Sequence, residues 1–157
     1  GESFCIGPLC ITAFLVEHDT PECVGYYIET PTSSLFIATD LGQMNPTAAA
    51  YLIKAKNIII EANYDEEMLI HGKYPLFLKQ RILSNCGHMA NHITAQCLQQ
   101  YFQLHWDNIF FCHLSQENNC PEAVLRTMQQ TLGPILTSNT QLHVLPRTKS
   151  TPVFEFL

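Results

Sequence analysis

A chain of 157 residues with 46% hydrophobic and 14% charged side chains has apolar material for one compact core and too little charge for a disordered tail. Its net charge of −6 excludes a generally basic, nucleic-acid-coating surface, although not an enzyme whose metal ions supply positive charge locally. No apolar run approaches the roughly 18 residues that cross a membrane, so no membrane partner is expected.

The opening Gly1-Glu2-Ser3-Phe4-Cys5-Ile6 has neither the basic region nor the apolar region of a signal peptide, and it lacks an initiator Met, as if residues had been removed upstream. Residues 3–6, 9–17, 24–30 and 34–39 read as strands, being β-branched or aromatic runs broken by Gly7-Pro8, Asp19-Thr20-Pro21-Glu22 and Pro31-Thr32-Ser33. Asn45-Pro46-Thr47 starts a helix with Pro at its first position. Residues 57–62 form a continuous apolar run ending in Glu61-Ala62, the pattern of a strand buried on both faces. Two short helices split near Gly72 and Pro75 fill 65–85, and another starts near Asn91 with Ile93, Cys97, Leu98, Tyr101 and Phe102 on one stripe. A buried strand at 109–112, a helix from Pro121 to about Leu132, and short strands at 142–145 and 153–156 close the chain. Strands first, then strands alternating with helices, predict a mixed sheet covered by helices. Seven cysteines without a Cys-x-x-Cys pair, several inside apolar stretches (Cys10, Cys97, Cys112), predict reduced thiols and a cytoplasmic location.

Ionisable residues stand where apolar strands run out: His18 and Asp19 after 11–16, Asp40 after 35–39, Glu61 after 57–60, His113 after 109–112. In sheets of this kind ligand sites gather beyond the carboxyl ends of the strands. Any one of these residues alone is an ordinary turn former or edge histidine; four together predict a shared site. Imidazole with carboxylate suits zinc, manganese or iron, and a carboxylate has two oxygens with which to bridge two ions. Cys112 is a poor ligand candidate, since strand alternation points it away from His113. Gly87-His88 approaches the start of the next helix, where anions are favoured. His88 there is either functional or an exposed cap. Lys73, Lys79 and Arg81 could meet a phosphate backbone, although scattered cations are more often a solvated face.

The ordered segments Glu17-His18-Asp19, Val24–Glu29, Ile37–Gly42, Ile60–Asp65, Gly87–Asn91 and Cys112–Ser115 resemble the second half of the metallo-β-lactamase superfamily, and most of all its YycJ/WalJ-type DNA exonuclease branch. The resemblance implies an α+β fold, the αββα sandwich, with this chain as its C-terminal half: a mixed sheet with helices on the outer face. It implies His18, Asp40 and His113 as metal ligands, Asp40 bridging two divalent cations (zinc or manganese). It further implies His88 and Glu61 as catalytic residues, and Asn91, Lys79 and Arg81 toward the nucleic acid, DNA in this branch. Ala90 stands where the tRNA-processing branch more often has Ser. The superfamily's His-x-His-x-Asp-His motif occurs nowhere in the chain. The whole protein is therefore expected to be a phosphodiesterase using a hydroxide shared by two metals. The 157 residues alone are expected to be inactive, their sheet covered by a missing N-terminal half, a partner chain or a second copy in a homo-oligomer. Hydrolysis of a thioester or lactam, and a non-catalytic binding role, are the alternatives.

Overall fold

The computed structural model describes residues 3–156. Seven strands form one sheet in sequence order: β1 (Ser3–Ile6), β2 (Leu9–Leu15), β3 (Val24–Glu29), β4 (Ser34–Ala38), β5 (Asn57–Glu61), β6 (Asn108–Cys112) and β7 (Gln141–Val144). The first four are an antiparallel meander, and β4 through β7 are parallel. The switch has a simple origin. Turns of two to eight residues return the early strands directly, whereas the later ones are separated by helices and must cross over. Those helices are α1 (Pro46–Leu52), α2 (Glu66–His71), α3 (Leu76–Ile82), α4 (Asn91–Gln100) and α5 (Pro121–Leu132).

Local chemistry sets the boundaries. Asn45 caps α1, its side chain accepting the Ala48 N–H at 2.8 Å, and Pro46 occupies the first turn, where a missing N–H is harmless. Asp65 caps α2 in the same way through the Met68 N–H at 3.1 Å. Gly7, at φ 57°, takes the first position of the two-residue turn between β1 and β2, which needs a positive φ.

The strand registers sort the sheet into two unlike faces. Phe14, Tyr27, Phe36, Ala38, Ile58, Ile60, Ile109 and Phe111 share one face and pack, fully or almost fully buried, against Ala48 and Leu52 of α1, Ala95 and Leu98 of α4, and Val124, Met128 and Leu132 of α5. The opposite face is also apolar yet carries no helix. There Phe4 is 52% exposed, Ile6 61%, Leu15 64% and Tyr26 40%. The expectation of a mixed sheet with helices on its outer face is borne out.

Two expectations are corrected. Residues 153–156 are not a strand. Their aromatics instead fold back onto the helix-free face, with Phe154 and Phe156 edge-on to Phe110 at 4.7 and 6.0 Å, and His143 of β7 stacked on the same ring at 4.6 Å. Alternation in Val153-Phe154-Glu155-Phe156 supplies apolar contacts without needing a ladder. Nor are all the thiols reduced. Cys5 and Cys10 stand directly opposite each other in the first hairpin, Cα to Cα 4.1 Å, and form a disulfide. The spacing that mattered was cross-strand register, which no count along the sequence reveals.

Candidate metal centre

Because β2 and β4 run in the same direction, and β5 to β7 run parallel to β4, the carboxyl ends of all five strands meet at one edge of the sheet. His18 follows β2, Asp40 follows β4, Glu61 ends β5 and His113 follows β6. Asp40 and His113 both have left-handed backbones, φ 51° and 57°. A left-handed residue ends the strand's alternation abruptly, so each side chain turns inward across the edge rather than continuing the pleat. Cys112 ends β6, half-buried. It lies in register with Glu61, and burial first, then the charges of Glu61 and Asp40, push its thiol up to about 12, leaving it protonated.

Glu61 organises the centre from below. It is wholly buried, and both carboxylate oxygens are engaged. Oε1 accepts the Met89 N–H at 2.8 Å. Oε2 accepts the Asp40 N–H at 3.1 Å and stands 3.0 Å from His88 Nδ1 and 2.6 Å from His113 Nδ1. Burial pushes this carboxyl upward, but the hydrogen bonds from His113 and His88 outweigh it, so Glu61 lies below the usual carboxylate range. The bond to Glu61 holds His113 above the ordinary imidazole value against the opposing effect of burial. An ionised Glu61 accepts hydrogen from both Nδ1 atoms, so each Nε2 carries a lone pair when its ring is neutral.

His18 reaches the same tautomer by another route. Its Nδ1 donates to the Gly87 carbonyl at 3.0 Å. Gly87 is packed so tightly on the Ile82 carbonyl that a Cβ has no room, which fixes that acceptor in place. His18 Nε2 lies 3.4 Å from Asp19 Oδ1, and the Nε2 atoms of His18 and His113 each lie 3.7 Å from Asp40 Oδ1. That second distance is too long for a hydrogen bond. It is near the separation of about 3.4 Å that two donors adopt around one tetrahedral zinc. Nδ1 anchored and Nε2 free is the state a metal-binding histidine needs. The residues present thus fit divalent cations. Among the described residues the donor atoms form two overlapping sets, His18–Asp40–His88 and Glu61–His88–His113, each spanning no more than 4.8 Å.

Beside the centre opens a cleft of 320 Å³, lined by His88, His113, Tyr74, Leu78 and Arg81 among others. Arg81 binds Asp19 through both Nε and Nη2, the latter at 3.0 Å, and this guanidinium holds Asp19 below the usual carboxylate range. Of the residues singled out from sequence, His18, Asp40, Glu61, His88 and His113 converge, and Arg81 flanks them. Lys79 does not reach the cleft; its Nζ donates to the Ile70 carbonyl at 2.7 Å on the outer surface. Asn91 is buried and exchanges hydrogen bonds with Asn119 at 3.0 and 2.9 Å.

Sequence reasoning missed Asn63. Its Nδ2 donates to the His113 carbonyl at 2.8 Å, its N–H to the Met89 carbonyl at 2.9 Å, and its carbonyl accepts the Ser115 N–H at 2.7 Å. One residue so ties together the three loops that carry Glu61, His88 and His113. Its place two residues beyond Glu61, at the same strand end, was the available signal.

The chain is 34% identical over 133 residues to the exodeoxyribonuclease WalJ of Streptococcus pneumoniae serotype 2, a match covering 85% of this chain and 49% of the relative. It is 30% identical over 132 residues to the exodeoxyribonuclease YycJ of Bacillus anthracis, covering 84% of this chain and 50% of the relative. Among solved structures, the metallo-β-lactamase fold protein YhfI from Bacillus subtilis superposes with a TM-score of 0.64 at 12% identity, over 92% of this chain and 49% of YhfI. This chain has the metallo-β-lactamase fold and is a relative of the WalJ/YycJ proteins. No family model matches it. The metallo-β-lactamase-fold chain spans about half the length of the curated relatives it matches.

Proposed function

We propose that this chain is the C-terminal half of a metallo-β-lactamase-like domain whose complete form is a metal-dependent phosphodiesterase, an exonuclease acting on DNA in the cytoplasm. The observation that carries this reading is Asp40 Oδ1 lying 3.7 Å from the Nε2 atoms of both His18 and His113. A carboxylate placed symmetrically between two anchored imidazoles suits a bridge between two cations, with His18 on one and His113 on the other. Zinc or manganese ions held there would supply Lewis-acid activation of water and neutralise charge on the phosphoryl oxygens. The names of the WalJ and YycJ relatives support DNA as the substrate.

The chain's own residues have distinct tasks. Glu61 touches no substrate in this reading. It orients His113 and His88 through their Nδ1 atoms and fixes the Asp40 backbone, so it is a positioning residue. His88 sits between the two proposed ligands, its ring 5.0 Å from that of His18 and 5.2 Å from that of His113, and it lines the cleft. With Nδ1–H committed to Glu61, its Nε2 would accept a proton to give the imidazolium and then deliver it to the leaving oxygen. In the full-length protein, His88→Ala should lower turnover on linear duplex DNA by about 10²–10⁴-fold, the usual contribution of a general acid. Metal content should be unchanged. Loss of bound metal in that variant would make His88 a ligand instead.

The half-domain reading has two supports. His18, Asp40 and His113 are too few to close two sites, since a catalytic zinc commonly takes about three protein ligands. The sheet face without helices leaves Phe4, Ile6, Leu15 and Tyr26 between 40% and 64% exposed, apolar surface that a covering half or partner would bury. The 157-residue chain by itself is therefore expected to hold metal weakly and to cleave no DNA. An upstream segment bearing His-x-His-x-Asp-His should restore both. The test is metal analysis together with turnover on duplex DNA, structured RNA and a thioester, for the short and full-length proteins. Thioester hydrolysis without DNA cleavage by the full-length protein would sink the nuclease reading, and normal turnover by the short chain would sink the half-domain reading.

A further inference from the structure

Four strand ends supply the centre, but five meet at that edge. The fifth is β7, whose parallel pairing with β6 brings Leu145-Pro146-Arg147 up beside His113. Leu145 continues the contact, its N–H donating to the Phe111 carbonyl at 2.8 Å. Arg147 then reaches across and donates from Nη1 to the Leu114 carbonyl at 3.1 Å, one residue beyond His113. It lines the cleft that holds His88 and His113, and also the adjoining hollow formed by Cys112, Leu145 and Thr148.

The two guanidiniums of the cleft differ in what they have left to offer. Arg81 spends Nε and Nη2 on the Asp19 carboxylate. Arg147 is exposed and, among the described residues, has no carboxylate oxygen within 4.0 Å, although Glu117 lines the same cleft. One N–H positions it on the Leu114 carbonyl, and the remaining donors of its planar fork face solvent. The chain has only 8 Lys and Arg against 14 Asp and Glu, so an unneutralised cation beside the centre stands out against the molecule's own field. A guanidinium fork matches two phosphate oxygens as no other side chain does.

We propose that Arg147 binds the substrate phosphate next to the scissile one, on the His113 side of the cleft, and thereby sets where the DNA strand lies relative to the centre. The inference rests on the nuclease reading above. Arg147 is a substrate-binding residue in it, engaged equally before and during the reaction, so its loss raises KM and leaves kcat nearly unchanged. Pro146 limits the freedom of the segment, and the Leu114 bond aims the fork before substrate arrives.

The test uses the full-length, metal-loaded protein and a fluorescein-labelled thymidylate decamer with phosphorothioate linkages, read by anisotropy across a salt series. Arg147→Gln keeps a donor for the Leu114 carbonyl but removes the charge, and Arg147→Lys keeps the charge but loses the fork. For Arg147→Gln, Kd should rise about tenfold, and the slope of log Kd against log salt should fall by about 0.7, the value of one contact on a single strand. Metal content and kcat on cleavable DNA should stay within about twofold of wild type. Arg147→Lys should keep the wild-type slope. Wild-type Kd and slope in Arg147→Gln would overturn the inference alone, leaving Arg147 as a clasp on Leu114. A fall in metal content with the salt slope unchanged would overturn it too, in favour of a structural role. A wild-type protein that fails to bind the decamer at any salt would overturn the nuclease reading and this inference with it.

Discussion

Asp40→Asn in the full-length protein is expected to lower DNA turnover by more than about a hundredfold, and to release metal, while the fold survives. Loss of an outer partner of a metal ligand already costs about 10–100-fold, so loss of the bridging charge itself should exceed that. Survival of the fold follows from the backbone. Asp40 is left-handed at φ 51°, a conformation that Asn tolerates as well as Asp does. Its amide N–H, which donates to Glu61, is untouched by the substitution. Metal analysis and circular dichroism on one preparation check both halves of the claim. Normal turnover in Asp40→Asn would reduce the residue to a turn former.

Glu61→Ala should have the largest effect on stability of any single change at the centre, about 3–5 kcal/mol, the range for breaking a buried charge cluster by removing one partner. The carboxylate is wholly buried, and its removal leaves the Asp40 and Met89 N–H groups and the Nδ1 atoms of His88 and His113 without their acceptor. Since such a loss can approach the whole stability of a domain, Glu61→Gln is the companion variant. It keeps the shape but offers one oxygen and an NH₂ where two acceptors are needed, so it should fold, be less stable, and bind metal about 10–100-fold more weakly. Urea unfolding and metal titration of the two variants would check this. Wild-type stability in Glu61→Ala would mean that water serves these donors as well as the carboxylate does.

Much of this was legible in the sequence because the fold is built from runs that announce their period. The helix predicted from Pro121 to about Leu132 has those bounds, and the strand ends that flagged His18, Asp40, Glu61 and His113 do converge. What escaped was whatever depends on register or on the third dimension. The Cys5–Cys10 bond needs the hairpin alignment. The predicted strand at 153–156 has the right alternation, but the tail lies on Phe110 rather than beside an edge. Asn91 looked poised at a helix start and turned out to be sealed against Asn119. Arg147 obeyed the strand-end rule that located the other four, yet it sits three residues past the last strand, behind a proline that reads as loop.

The centre is sewn together by contacts between residues far apart in sequence. His113 meets Glu61 across 52 residues, and His18 meets Gly87 across 69. The meander β1–β4, by contrast, pairs neighbours through short turns. Loop-closure entropy makes the local pairs form early and the parallel crossovers late. The centre is therefore expected to take shape late in folding. Interactions formed that late do little to hasten folding and act mainly by slowing escape from the native state. A cation seated among His18, Asp40 and His113 would thus serve as a latch: it would lengthen the lifetime of the assembled protein without guiding its assembly.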